Sequence, residues 1–311
     1  MEIISFFKLF WVLPISFLAK SRFSIFNSLY PAFFLVILCP TISLSQETKT
    51  QLSFEEEDLE GFTIYKKPCL NFPVTTGYIK EFDNDEESNL LSIKDHDLLC
   101  NTAGIALSQI RQLLALPEIN YQLSLLVVSE SHFFKEIEAP IWAEALSVDG
   151  VIYLPRQYLD AENIKKTIHH EVLHSVVYQI AGNRVPAWLE EGLAQIVSGQ
   201  VEPKLFKTRK MNKFGSAPIR KLHNGGSYHT REEADIAYGL SVQAVSLLSQ
   251  DHGFATFGAY LGKLALGHSH ARAFESTFNM SEAELERTIK NEASKTGRAM
   301  PQSDSASRKN K

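Results

Sequence analysis

The sequence predicts an α+β domain in which short strands come first and helices follow, and two observations carry that expectation. Short apolar or alternating runs bounded by turn signals are confined to residues 61–154, whereas beyond Asp160 the apolar residues recur at helical spacing to about residue 293. With 311 residues, 44% of them hydrophobic and 22% charged, the chain has apolar mass for one large or two modest domains.

The first 45 residues stand outside that domain. Their only charges are Glu2, Lys8, Lys20 and Arg22, the stretch from Phe23 to Leu44 is uncharged, and Ser43-Leu44-Ser45 places small residues where a signal peptidase reads. The expectation is an exported protein, periplasmic or extracellular, cut before Gln46. The alternative retains an apolar segment as a membrane anchor, for which about 20 residues suffice. Bulky Leu38 before Cys39 argues against lipoprotein processing. Loss of Cys39 leaves Cys69 and Cys100, and an even pair in an oxidising compartment points to a disulfide.

Residues 46–74 read as an acidic N-terminal segment, either a linker or an edge strand. They hold the solvated cluster Glu55, Glu56, Glu57 and Asp58 and one strand-like stretch, Gly61 to Tyr65. From residue 75 the main domain begins. Gly77 to Phe82 alternates as a half-buried strand does, Asp83, Asp85, Glu86 and Glu87 form a second solvated acidic group, and Leu98, Ile105, Ile110, Leu113 and Leu114 mark a helix ending near Pro117. Leu123 to Val128 is a buried strand, residues 133–138 a short helix within a loop, Asp149-Gly150 a turn, and Val151 to Leu154 another strand. Asp160 as N-cap and Gly182 as the residue after the C-cap bound a long helix, whose Ile164, Ile168, Val172, Val176 and Ile180 repeat at i+4. Pro186 opens a second helix with Leu189, Leu193, Ile196 and Val197 on its apolar side, closed at Gly199. Residues 200–232 are polar, basic and loop-like; four helical patterns follow from Glu233 to about Ala293, and the Ser-, Lys- and Arg-rich residues 294–311 read as a disordered tail. A net charge of -5, without a zinc-finger, RNA-binding or P-loop signature, argues against a nucleic-acid partner.

The long helix carries His170-Glu171-Val172-Leu173-His174. Spacing of i, i+4 puts both imidazoles on one helix face, one turn apart, so that they can share a metal ion, and zinc suits them. Glu171 falls on an adjacent face, within reach of a metal-bound water but outside the coordination sphere, where a carboxylate can act as general base. A third protein ligand has to come from another element. The stretch Trp188-Leu189-Glu190-Glu191-Gly192-Leu193-Ala194, whose Glu191 falls seventeen residues after His174, offers two adjacent glutamates about 100° apart, and the helical wheel does not choose between them.

Together the two motifs resemble those of the gluzincin zinc peptidases, most closely the peptidase-MA-like domains, whose second motif reads Trp-Leu-x-Glu-Gly-x-Ala. The resemblance spans roughly residues 75–293, although only the two motifs are specific. It implies an α+β zinc peptidase domain with a small mixed sheet, an active-site helix and a helical C-terminal part. One zinc ion would be held by His170, His174 and Glu191, with Glu171 as catalytic base. Gly192 after Glu191 matches the family's Glu-Gly and lets helices approach closely. The resemblance also implies that Val151 to Leu154 is the edge strand along which a peptide or protein substrate pairs, and that Tyr238 stabilises the oxyanion. His169, turned about 100° from His170, reads as surface or as a neighbour of the ligands; His223, His229, His268 and His270 read as solvated.

A different class of function is a scaffold that keeps the zinc fold without turnover, free in the cell envelope or tethered to its membrane as an assembly factor. Glu171 speaks against it, since a structural site has no use for a base and is normally closed by four protein ligands. Oligomeric state leaves no mark on the sequence.

Overall fold

The computed structural model describes residues 54–59, 62–81, 91–117, 119–200, 219 and 231–298, all within one compact unit spanning residues 51–311. The expected leader, the second acidic group, most of the 200–232 loop and the last residues of the expected tail lie outside the described residues.

Six strands form one mixed sheet. They are β1 (Glu55–Leu59), β2 (Phe62–Pro68), β3 (Val74–Glu81), β4 (Leu123–Val128), β5 (Leu146–Val148) and β6 (Val151–Pro155), in the order β1-β2-β3-β4-β6-β5. The β1/β2, β2/β3 and β5/β6 pairs are antiparallel, and β3/β4 and β4/β6 are parallel. Two strands thus come from the acidic segment that the sequence set apart from the domain. Helix α1 (Ile93–Leu113) makes the crossover from β3 to β4 that a parallel pair requires.

Side chains leave the sheet with a period of two. Leu123, Leu125 and Val127 of β4, with Ile152 and Leu154 of β6, join the main core under α1 and the next helix, α2 (Ile164–Ala181). Leu126, Val128, Val151 and Tyr153 face the other way, onto Phe133 and Ala139. The unbroken apolar run of β4 is therefore explained by burial on both faces. Residues His132–Glu136 form one π-helical turn, near the short helix expected there. Cys69 and Cys100 are disulfide-bonded, tying the turn after β2 to α1.

The helical part continues with α3 (Ala187–Ser198), α4 (Arg231–His252), α5 (Ala255–Ala265), α6 (His270–Phe278) and α7 (Glu282–Arg298). Helix α7 extends into the stretch read as tail. Helix α2 begins at Ile164 after Asn163 rather than after Asp160, because the Asn163 amide bonds Glu144 instead of capping and the preceding residues form turns. Gly199, at φ 67°, closes α3 as expected.

Candidate metal centre

The site stands where α2, α3 and the β5–β6 hairpin meet. Asp149 (φ 49°) and Gly150 (φ 83°) make the two-residue hairpin turn that an Asp-Gly pair favours. A Cβ on Gly150 would lie 2.9 Å from the Tyr178 ring, so glycine lets α2 seat directly on the turn. Ser175 Oγ donates to the Gly150 carbonyl at 2.5 Å, and Gln179 exchanges hydrogen bonds with the Gln122 backbone. These contacts fix the roll of α2 and hence the direction of its histidines.

Helix α3 arrives from the other side. Gly192 abuts α4 so closely that a Cβ there would lie 2.4 Å from the Ser241 carbonyl oxygen. This is the close helix approach expected of the glycine, but the atoms nearest it belong to α4 and not to α2. Three side chains then converge: His170 Nε2 and His174 Nε2 are 3.1 Å apart, Glu191 Oε1 is 3.2 Å from the former, and Glu191 Oε2 is 3.5 Å from the latter. Among the described residues, these three form the group of metal-ligating side chains. Ligands about 2 Å from a tetrahedral zinc ion sit roughly 3.3 Å from each other. The nitrogen–nitrogen distance and the closest oxygen approach to each nitrogen lie near that spacing, the two oxygens belonging to one carboxylate, and a nitrogen–nitrogen–carboxylate combination suits zinc.

Glu190 has a separate partner. Its Oε1 accepts from His174 Nδ1 at 2.8 Å, which in the neutral ring turns the Nε2 lone pair towards His170 and Glu191. His170 Nδ1, by contrast, is buried without a hydrogen-bond partner. Burial disfavours charge on His174, yet its hydrogen bonds to Glu190 and Glu191 and their negative charges more than offset it and raise its pKa well above the ordinary histidine value. Burial works against ionised Glu191 too, but the charge of His170 and hydrogen bonds to both histidines hold its carboxyl well below the usual carboxylate range.

Glu171 is buried beside the histidines, and burial raises its pKa, partly countered by the charges of His170 and His174 and by a hydrogen bond from the Ser147 backbone. Tyr238 lies on α4, partly buried, one turn before the Ser241 that touches Gly192. A cavity of about 230 Å³ opens beside His174, walled by Ser147, Asp149, Tyr178, Asn183 and Glu190.

The edge-strand expectation is corrected. Val151 to Leu154 belongs to β6, which is paired on both sides, and β5 ends the sheet instead. The Asp-Gly turn held the signal, since a two-residue hairpin turn requires an antiparallel partner ahead of it. Sequence reasoning also missed the Ser147–Glu171 contact and the role of Glu190 against His174, which it weighed only as a rival ligand. His270, expected to be solvated, is mostly buried, 2.8 Å from Tyr260 Oη and 2.9 Å from Glu282. His169 is also partly buried, and burial lowers its pKa.

Residues 150–294 match the model of the Peptidase MA superfamily. Among solved structures, the chain is similar to a two-domain M1 zinc metallopeptidase variant bound to L-arginine, at 15% identity and a TM-score of 0.39 over 74% of this chain and 51% of that one. It is also similar to an M1 zinc metallopeptidase from Deinococcus radiodurans, at 14% identity and a TM-score of 0.39 over 72% of this chain and 49% of that one. The chain thus spans about half the length of these proteins. None of the curated proteins matches it.

Proposed function

We propose that this chain is an exported, zinc-dependent peptidase that hydrolyses peptide bonds of peptide or protein substrates, a reading supported by the match of residues 150–294 to the Peptidase MA superfamily model. The observation that carries this reading is the convergence of both Nε2 atoms and the Glu191 carboxylate at tetrahedral spacing, with Glu171 buried alongside. His170, His174 and Glu191 would hold one zinc ion. When bound, the ion supplies Lewis acidity and lowers the pKa of a coordinated water towards about 7.

Glu171 takes the proton of the attacking water on its carboxylate and passes it to the leaving amine. Its buried position favours holding that proton between the two transfers, and the Ser147 backbone keeps the carboxylate in place. Tyr238 donates its phenol proton to the developing oxyanion. The free side of β5 offers backbone groups to an extended substrate, in place of the β6 stretch. Export is supported by the apolar, signal-like residues 1–45 and by the Cys69–Cys100 bridge, a bond suited to an oxidising compartment.

The test is a peptide-library assay with zinc quantitation on wild type and Glu171→Gln. The variant is expected to keep about one zinc per chain while hydrolysis falls roughly 10²–10⁴-fold, because an amide accepts no proton. Tyr238→Phe should keep its zinc and lose roughly 10²-fold in kcat. Full activity in Glu171→Gln would sink the mechanism, and zinc binding by an inactive wild type would support the scaffold reading instead.

A further inference from the structure

Beneath α3 lies a second polar cluster that the proposed chemistry does not use. Trp188, 1% exposed, donates its indole N–H to Glu282 Oε1 at 3.0 Å across 94 positions of sequence. His270 Nε2 approaches the same oxygen to 2.9 Å, and Tyr260 Oη lies 2.8 Å from His270 Nδ1. The Nε2–carboxylate approach is a charge contact without hydrogen-bond alignment, whereas Nδ1 is placed to accept from the phenol. The cluster therefore joins α3, α5 and the N-terminal residues of α6 and α7.

We propose that Glu282 and His270 are positioning residues for the metal centre, acting through Trp188 to set the rotation of α3 and so the aim of Glu190 and Glu191. The inference rests on the zinc-site reading. Trp188 precedes Glu190 by two residues and Glu191 by three, within one helical turn. With side chains extending roughly 6 Å from a helix axis, a 20° roll of α3 moves a carboxylate by about 2 Å, enough to take it out of reach of a metal ion. Gly192 against α4 limits how closely α3 packs, but a glycine contact resists rotation weakly because no side chain keys into the neighbour. The indole provides that key: it is a donor with one N–H, and a buried indole N–H left without an acceptor is unfavourable. Glu282 is that acceptor, and His270 and the Trp188–Phe274 edge contact, with ring centroids 6.1 Å apart, hold the acceptor and the ring in place. The cluster also reaches the metal side electrostatically, since burial and then the charges of Glu282 and Glu190 push the Tyr260 phenol well above its ordinary pKa.

The experiment measures zinc affinity by chelator competition, the visible absorption of the cobalt-substituted protein, and melting of the metal-free form, all on the full chain. Glu282→Ala is expected to weaken zinc binding about 10–100-fold and to shift the cobalt bands, as loss of support behind metal ligands does. Glu282→Gln, whose amide oxygen still accepts from the indole, should recover most of both. Leu285→Ala, a buried change on the same helix, should lower melting while leaving affinity and spectrum near wild type. Should Glu282→Ala not fold, His270→Ala, which leaves the Trp188–Glu282 bond, is expected to shift the same bands with a smaller loss of affinity. Wild-type affinity and spectrum in the folded Glu282 or His270 variant would overturn the proposal, as would equal loss of zinc in Leu285→Ala. Failure of the wild-type chain to bind zinc is a separate result and would overturn the zinc-site reading itself.

Discussion

Two groupings of histidine and glutamate share α3 and are built from similar residue types, yet their hydrogen-bond arithmetic is opposite. Around His170, His174 and Glu191 the facing atoms are two imidazole nitrogens and two carboxylate oxygens; with Glu190 bonded to the Nδ1 proton of His174, neutral rings leave these atoms short of protons, and the raised pKa of His174 expresses the same demand for positive charge. Around Tyr260, His270, Glu282 and Trp188, donors and acceptors alternate: phenol to imidazole, and indole to carboxylate. A surplus of acceptors in a buried place calls for positive charge among them, a proton or a metal ion, whereas donors already paired with acceptors do not. The first grouping has the arithmetic of a metal centre, the second that of a brace.

The largest expected effect tests the surplus directly. Glu191→Ala removes two of the converging oxygens and should lower zinc affinity more than about 10³-fold and abolish hydrolysis. Glu190→Ala removes only the support behind His174, and its loss should be about 10–100-fold in affinity, with measurable activity at saturating zinc. Chelator competition ranks the two. If Glu190→Ala proved the more zinc-deficient variant, the roles of the adjacent glutamates would have to be exchanged.

A smaller effect is expected where α3 packs without polar contacts. Gly192→Ala would push a methyl group against the Ser241 carbonyl oxygen and Val245 Cγ2, at 2.4 and 2.6 Å, and a backbone oxygen cannot swing aside. The α3–α4 spacing must open, at a cost of about 1–3 kcal/mol in denaturant stability. Zinc affinity should fall less than in Glu190→Ala, because the hydrogen bond to His174 can follow a small shift of the helix. An unchanged denaturation midpoint would show that α3 has slack, and would weaken the case that its placement is critical.

How much of this was legible in the sequence follows from what each residue has to signal. Helix α2 announced itself through five apolar residues at i+4, and the facing of His170 and His174 followed from helical geometry alone. Strand β1 gave no such signal: its five residues are acidic or at the strand end, all exposed, and it is held by backbone pairing, with Glu56, Glu57 and Asp58 bonded to Tyr65, Lys66 and Thr63 of β2. Strand β5 was hidden by its length of three residues, although the turn beside it implied a partner. The two groupings differ in the same way. Local spacing encodes the pair of candidate ligands on α2, whereas the brace depends on Trp188 meeting Glu282 across most of the helical half of the chain, a tertiary fact that no window of sequence contains.

The smallest expected effect concerns a third buried histidine, which sharpens the comparison because it has neither metal partners nor a carboxylate bonded to its ring. His96 on α1 lies 2.6 Å from Thr76 Oγ1, with its ring 3.7 Å from the Cys100 sulfur, and it is mostly buried. Burial and the charge of Lys67 lower its pKa, against a weaker opposing pull from Asp97. The neutral form is therefore the one the fold prefers. In the unfolded chain the imidazole takes up a proton near pH 6.5, while the folded chain resists until a lower pH, so the unfolded state binds more protons in between. The contribution of His96 to stability is fully present above about pH 6.5 and is lost as the pH falls towards its folded value. Denaturation midpoints measured at pH 7.5 and 5.5 on metal-free protein should fall with acid, and they should fall less in His96→Gln, where that proton uptake is gone. Since His174 and Glu191 titrate identically in both proteins, the difference between the two slopes isolates His96. Equal slopes would mean that the Thr76 hydroxyl and the neighbouring charges accommodate an imidazolium at that position, and a buried histidine could then be kept in its charged form without a carboxylate bonded to it.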